Sequence, residues 1–426
     1  MPYDAGHYWE LAVKFQRHHH SFSLLYFNDN TRGYLSALIQ FPALIVRFLT
    51  HCSMPSAAKV LGLGWATLLF AILIPALWRS LSNQRVSGGR WLLLLLLAAI
   101  FWRDHFSFTA TDVPGISLLL LAMWSVSRPS LGWWLLGGLS LAATVDVRPM
   151  YLGAVLPALL LAGWWNNRHG PHGWRRWVAL LMGAVVALGP QLAINRLYYN
   201  TNSPLALARA SDIEETPLYL KQLTWGTRVL RYDTDVHQRL VYADSTGLAV
   251  LRQEGIADYT SYRQFLGVAL RHPINYTWRY VRHLFNGLDV QQPAPYLIRP
   301  YGPERPWVQL FNYSSLGLGL SVLLVSRPTR WLRWPRNWVL LALLLPCAVA
   351  VPTAIECRFL LPLHLLLLTM ACFQFPFQLG LNMLRSRPVR ILPAMLLAAW
   401  WLGGCFWLSA ATTRNLVPDH GKSLVD

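Results

Sequence analysis

A chain of 426 residues that is 54% hydrophobic and only 13% charged carries about half the charge expected of a soluble domain. Its formal net charge of +18 raises nucleic acid as a partner. The basic residues lie between apolar segments rather than along a polar stripe with interleaved aromatics, which argues against that class.

Residues 4–20 place Tyr8, Trp9, Leu11, Val13 and Phe15 as an amphipathic helix would, and read as a helix lying on the membrane surface. No secretory signal precedes them. The run His18, His19 and His20 is a poor metal site, because consecutive residues do not share a helix face. Segment 34–50 is apolar but contains Pro42 and Arg47, and reads as interfacial or re-entrant.

About ten spanning segments follow, at 59–78, 90–102, 113–127, 132–145, 150–165, 177–195, 307–325, 337–351, 358–375 and 391–409. Three long apolar stretches are broken midway by charge: Arg103, Asp104 and Asp112; Asp146 and Arg148; Glu356 and Arg358. Each stretch exceeds the ~20 residues of a single crossing, so each reads as two crossings joined by a charged tip. Loops 79–90, 128–131, 166–176, 326–336 and 384–390 hold 14 Arg and no Asp or Glu, which assigns them to the cytoplasm. All 19 acidic residues then fall on the outer side, with the N-terminus, the three tips and segment 196–306. That long segment holds 13 Lys or Arg against 10 Asp or Glu, and its stretch 261–285 has the spacing of amphipathic helices able to cap a membrane domain.

The expected architecture is an all-α integral membrane protein, with outward-facing amphipathic helices and an outer subdomain of about 110 residues. Its parts are 1–58 at the outer face, a bundle over 59–195, a lid over 196–306, a second bundle over 307–409 and an outer tail over 410–426. Five cysteines without a CxxC or paired spacing give neither a zinc site nor a disulfide framework, and Cys347, Cys372 and Cys405 read as small core residues.

Several outer-face residues could carry chemistry. Asp4, close to Tyr8 and Trp9, is a candidate general base, with helix capping as the alternative. Asp112 stands before Val113-Pro114 and is a catalytic candidate or an N-cap, whereas Asp104 is a catalytic candidate or a local partner of Arg103. Arg148 and Arg358 suit a phosphate, which a guanidinium fork grips with two parallel hydrogen bonds. Their alternatives are local ion pairs with Asp146 and Glu356. Tyr8 and, from the lid, His283 are candidates to line an acceptor site. His105, His272 and His283 have no metal-ligand spacing.

The stretches DAGHYWELA (4–12), TDVPGISLLLL (111–121), GLSLAATVDVRPMYL (138–152), GPQLAINRLYYNTNSPL (189–205) and ECRFLLPLHLLLL (356–368) resemble, in order, motifs of the polytopic C-type (GT-C) glycosyltransferases. The resemblance implies transfer of a sugar from a polyprenyl-phosphate donor to a lipid, glycan or protein acceptor. It implies that Asp4 activates the acceptor or binds a divalent metal, and that Asp112, or else Asp104, is the second acidic position. It also implies that Arg358 holds the donor phosphate and that Arg148 occupies a structural or donor-binding RP position. The family carries a transmembrane helix before its first acidic loop. Such a helix is therefore expected upstream of these residues, unless the N-terminus translocates with the next segment. A bacterial inner membrane, with the active face in the periplasm, fits the implied donor. The alternatives are a transporter or flippase of lipid-linked saccharides, which should show mid-membrane polar residues or repeats, and a polysaccharide polymerase or ligase.

Overall fold

The computed structural model describes residues 3–17, 27–170, 173–210, 216–235, 238–297, 302–325, 335–375, 391–417 and 424. The histidine run 18–20, loop residues 326–334 and loop 384–390 lie outside them.

The described chain is helical apart from one two-stranded sheet. It opens with α1 (Tyr3–Arg17), α2 (Tyr34–Leu38) and α3 (Phe41–Thr50). The apolar segment 34–50 is thus two short helices, the second with Pro42 in its first turn, where a missing N–H is tolerated. Next come α4 (Met54–Ser82), α5 (Gly88–Trp102), α6 (Asp112–Val126), α7 (Leu131–Val147), α8 (Leu152–Arg168) and α9 (Gly173–Tyr199). Helix α4 widens into a π-helical stretch over Thr67–Leu73.

The outer segment contains α10 (Leu218–Arg228), the hairpin β1 (Val229–Thr234) and β2 (Arg239–Ala243), α11 (Ser245–Gln253), α12 (Tyr262–Arg271) and α13 (Pro273–Leu288). Helices α14 (Arg305–Val325), α15 (Arg336–Ala350), α16 (Leu361–Gln374) and α17 (Ile391–Thr413) complete the chain.

Among the described residues, five helical stretches are long and apolar enough to cross a membrane: α4, α9, Arg305–Leu324, Cys357–Gln374 and Leu392–Thr413. A sixth candidate is Gly88–Ser107 with Asp112–Val126, bent by 115° at the break between them. Helices α7 and α15 are apolar but shorter. Leu392, Met395, Leu396, Leu397 and Trp400 all stand exposed on α17, an apolar surface of the kind a bilayer covers. The chain is an all-α membrane protein on these grounds.

The main core joins α4, α5, α6, α8, α15 and α16 through Leu69, Leu94, Phe101, Leu119, Leu161, Ala342 and Leu368. A polar relay inside it fixes three helices. The Trp102 indole donates to Nδ1 of His364 at 3.1 Å, and Nε2 of that ring meets Asn312 Oδ1 at 2.7 Å. The N-terminal helices build a second core, where Trp9, Ala12, Tyr34 and Ala37 meet Ile194 of α9. The lid has its own small core of Leu220, Leu223, Val250, Tyr259, Phe265 and Tyr276.

Two of the ties between the lid and the bundle run through β1 and the end of α13. The Tyr232 amide of β1 donates to the Ile355 carbonyl at the third tip (3.0 Å). Asp289, just past α13, accepts from Gln291, Gln309, Tyr313 and Ser409 and pairs with Arg231 at 3.1 Å. Every donor of that network is matched, as a buried carboxylate requires.

Candidate functional site

The three charged tips meet on one face, and the N-terminal helix closes over them. The tip after α5 ends in Thr111 and Asp112, the tip after α7 is Arg148 with a short turn over Pro149–Tyr151, and the tip before α16 is Glu356 and the turn Cys357–Leu360. Proline explains two of these breaks: Pro149 and Pro362 each stand in the first turn of the next element, where they favour initiation over continuation.

Arg358 is the hub. Its Nε donates to Glu356 Oε2 at 2.7 Å, and its Nη2 reaches Glu356 Oε1 at 3.2 Å and Asp4 Oδ2 at 2.8 Å. Its Nη1 lies 3.9 Å from Asp112 Oδ2. The local partner Glu356 is therefore real, and it shares the guanidinium with two residues from distant parts of the chain.

Arg148 does not take its local partner. Its Nη1 lies 2.6 Å from Asp112 Oδ1. Asp112 caps no helix with its side chain: Thr111 holds the N-cap position, and neither carboxylate oxygen accepts a geometrically sound hydrogen bond. Asp146 instead accepts from the Leu35 amide at 2.9 Å, while Gln191 Oε1 accepts from the Tyr34 amide at 3.0 Å. These two acceptors satisfy the otherwise orphaned N–H groups at the start of α2. Gly33 lies so close to Asp146 that an added Cβ would collide with its backbone carbonyl and carboxylate.

That clamp positions Arg32, which sequence reasoning did not single out. Arg32 Nη2 lies 3.5 Å from Asp4 Oδ1, and its guanidinium sits 5.2 Å from the centre of the Tyr8 ring. Asp29 fixes the preceding turn by accepting from the Thr31 and Arg32 amides at 2.9 and 2.6 Å. A lone arginine between an Asx turn and a glycine, on the side of the acidic residues, was the available signal. Tyr8 itself is buried and accepts from the Thr111 hydroxyl at 3.2 Å. The Tyr296 hydroxyl, also missed, accepts from the Ala5 amide at 3.0 Å, while Thr109 donates to the Ala5 carbonyl at 2.6 Å.

The assembled face holds three carboxylates, Asp4, Asp112 and Glu356, and three guanidinium groups, Arg32, Arg148 and Arg358. Asp112 is nearly inaccessible at 2%, whereas the Asp4 side chain is 38% exposed and marks the open side. Burial disfavours the charge on Asp4, but Arg358 and Arg32 outweigh it and hold the carboxyl well below the usual carboxylate range. So held, Asp4 is a weak base until something draws Arg358 away.

Two candidates fall elsewhere. Asp104 pairs at 3.7 Å with its neighbour Arg103 on an exposed surface, outside the cluster. His283 is fully buried, with Nδ1 2.7 Å from the Val351 carbonyl and Nε2 2.8 Å from that of Val229. Both nitrogens face backbone oxygens, so the ring ties α13 to β1 and leaves no atom for an acceptor. Among the described residues no group of three or more His, Cys, Asp or Glu is placed to hold a metal ion.

No protein family, curated protein or solved structure matches this chain.

Proposed function

We propose that the chain is an integral membrane glycosyltransferase, taking a sugar from a polyprenyl-phosphate donor and passing it to a lipid, glycan or protein acceptor. The observation that carries this reading is the gathering of Arg358 and Arg32 on Asp4, and of Arg148 on the neighbouring Asp112, at one face whose open side Asp4 marks. Three guanidinium groups at a membrane boundary suit a phosphate whose lipid lies among the helices. The ten segments at 59–409 form ten crossings in this reading. The face then belongs to the periplasmic side of a bacterial inner membrane.

The acceptor oxygen attacks the anomeric carbon as the bond from that carbon to the phosphate oxygen breaks. The electron pair leaves with the phosphate, where Arg358 and Arg148 offset the charge, and the acceptor proton passes to Asp4. Attack opposite the leaving group inverts the anomeric centre. Arrival of the phosphate draws on the same Arg358 donors that hold Asp4, which releases the carboxylate to act as a base. General-base catalysis of this kind contributes ~10²–10⁴ in rate.

Retained lipids test the reading. Native mass spectrometry of the detergent-purified chain should find a polyprenyl monophosphate, bare or carrying one sugar, that is lost in Arg358→Ala. A pyrophosphate-linked oligosaccharide would favour a polymerase, ligase or flippase. Bulk phospholipid alone in both samples would leave Arg358 as an ion-pair partner and overturn the assignment.

A further inference from the structure

The lid carries a second basic site that the sugar-transfer reading does not use. Helices α12 and α13 meet at His272-Pro273, and a cavity of about 460 Å³ opens at their elbow. Arg271, His272, Arg279 and Arg282 line it together with Ile274 and Trp278. Asp244 neutralises Arg279 at 2.7 Å, and Glu254 engages Arg271 (Nε to Oε1, 3.1 Å) and His272 (2.9 Å). Arg282 makes no ion pair among the described residues, so the cavity keeps an uncompensated cation.

The apolar lip continues as a ridge. Tyr262, Leu266 and Leu270 of α12 and Ile274, Trp278 and Val281 of α13 recur at helical spacing across the break, and all are exposed. Ile274 is 85% exposed and Trp278 is 61% exposed, which water would not favour for a contiguous strip. Arg263 stands on the same helix as the first three and also makes no ion pair among the described residues.

The position of the ridge follows from both ends of the α12–α13 pair. The Gly287 backbone near its C-terminal end lies against Leu360 and Ile355, where the candidate span Cys357–Gln374 begins. Trp307 and Phe311, likewise exposed, stand at the start of the candidate span Arg305–Leu324. At the other end, the Tyr262 ring lies 6.3 Å from that of Tyr219, whose hydroxyl donates to the Val349 carbonyl at 2.9 Å, so the ridge starts beside the end of the apolar helix α15.

We propose that the α12–α13 elbow binds the head group of an anionic phospholipid in the outer-facing leaflet. Ile274 and Trp278 enter the acyl boundary, and Arg282 receives the phosphate. An apolar ridge flanked by free arginines matches the charge and the depth of such a surface. The inference rests on the membrane placement of the chain and is independent of sugar transfer.

The test is the thermal stability of the delipidated, full-length chain in neutral detergent with added lipid, since a ligand that binds only the folded state raises Tm. Phosphatidylglycerol should raise Tm more than phosphatidylcholine does. In Arg282→Glu the apparent affinity behind that excess should fall on the order of fivefold or more. Trp278→Ser, which replaces an exposed side chain, should reduce the response to both lipids. An undiminished phosphatidylglycerol excess in both variants would overturn the proposal. Inorganic phosphate reproducing the excess would instead make the elbow a free-anion site. A chain that is dimeric without lipid but monomeric as Trp278→Ser would place a second copy on the ridge.

Discussion

Arg148 closes on Asp112 at 2.6 Å and passes over Asp146, its near neighbour in sequence. The contact fastens the tip after α7 to the start of α6, and losing it would leave the buried Asp112 charge with only the more distant Arg358, at 3.9 Å. Removing one member of a buried ion pair costs about 3–5 kcal/mol. Arg148→Gln should therefore lower the stability of the purified chain by that order, and Arg148→Gln with Asp112→Asn should recover most of it. A double variant as unstable as the single one would show that the two charges do not support each other.

Acid should expose the pairing of Asp4. Its folded value is depressed below the ~4 of an unfolded aspartate, so the pair contributes fully above that value. The contribution is lost as pH falls through the depressed folded value. Melting curves between pH 2 and 6 should fall less steeply for Asp4→Asn than for the native chain. Identical acid profiles would mean that Arg358 gives the folded state no advantage through Asp4.

The same contact predicts a split in the pH–rate profiles. In the free protein Asp4 stays ionised well into acid, so the acid limb of kcat/KM should lie below the usual carboxylate range. With donor phosphate on Arg358, Asp4 loses its main partner and the acid limb of kcat should move upward. Coincident limbs would indicate that the phosphate leaves the Asp4–Arg358 contact in place. Asp4→Asn itself should remove ~10²–10⁴ in rate while retained lipid is unchanged.

Gly33 offers a test that alters no charged residue. Its backbone lies so near Asp146 that an alanine methyl must push the segment bearing Arg32 aside. Overpacking of this kind costs about 1–3 kcal/mol. Gly33→Ala should raise the donor KM more than it lowers kcat, because the displaced guanidinium touches Asp4 and takes no part in proton transfer. A variant with native kinetics would free Arg32 of any role at the site.

The helices were legible because a lipid-facing or buried helix leaves a long apolar run, and helices stand at all ten of the apolar segments. The tips were legible because charge interrupts those runs. The hairpin of β1 and β2 was not, since both its faces are buried and the alternation that marks a half-exposed strand is missing. At the site, Asp4, Asp112, Arg148 and Arg358 stood out as charges at boundaries. Their partners did not: spacing offered Asp146 as the alternative partner of Arg148, and only the fold brings in Asp112 and gives Asp146 to Leu35. Arg32 escaped notice because its place depends on a turn and on a glycine pressed against a residue far along the chain. His283 was misleading for the opposite reason: its chemistry is general, and two backbone carbonyls already take up both nitrogens.

The matching of three guanidinium groups by three carboxylates makes the resting face electroneutral. A phosphate ester entering it brings negative charge that no spare cation there awaits. The incoming anion must arrive with a counterion, or a carboxylate must take up a proton as it binds. Glu356, which burial pushes above its ordinary value despite Arg358, is the group most ready to do so. Under the proposed reading, ligand capture at this face is thus an exchange of anions around fixed arginines, with occupancy tied to the acidity of the compartment it faces.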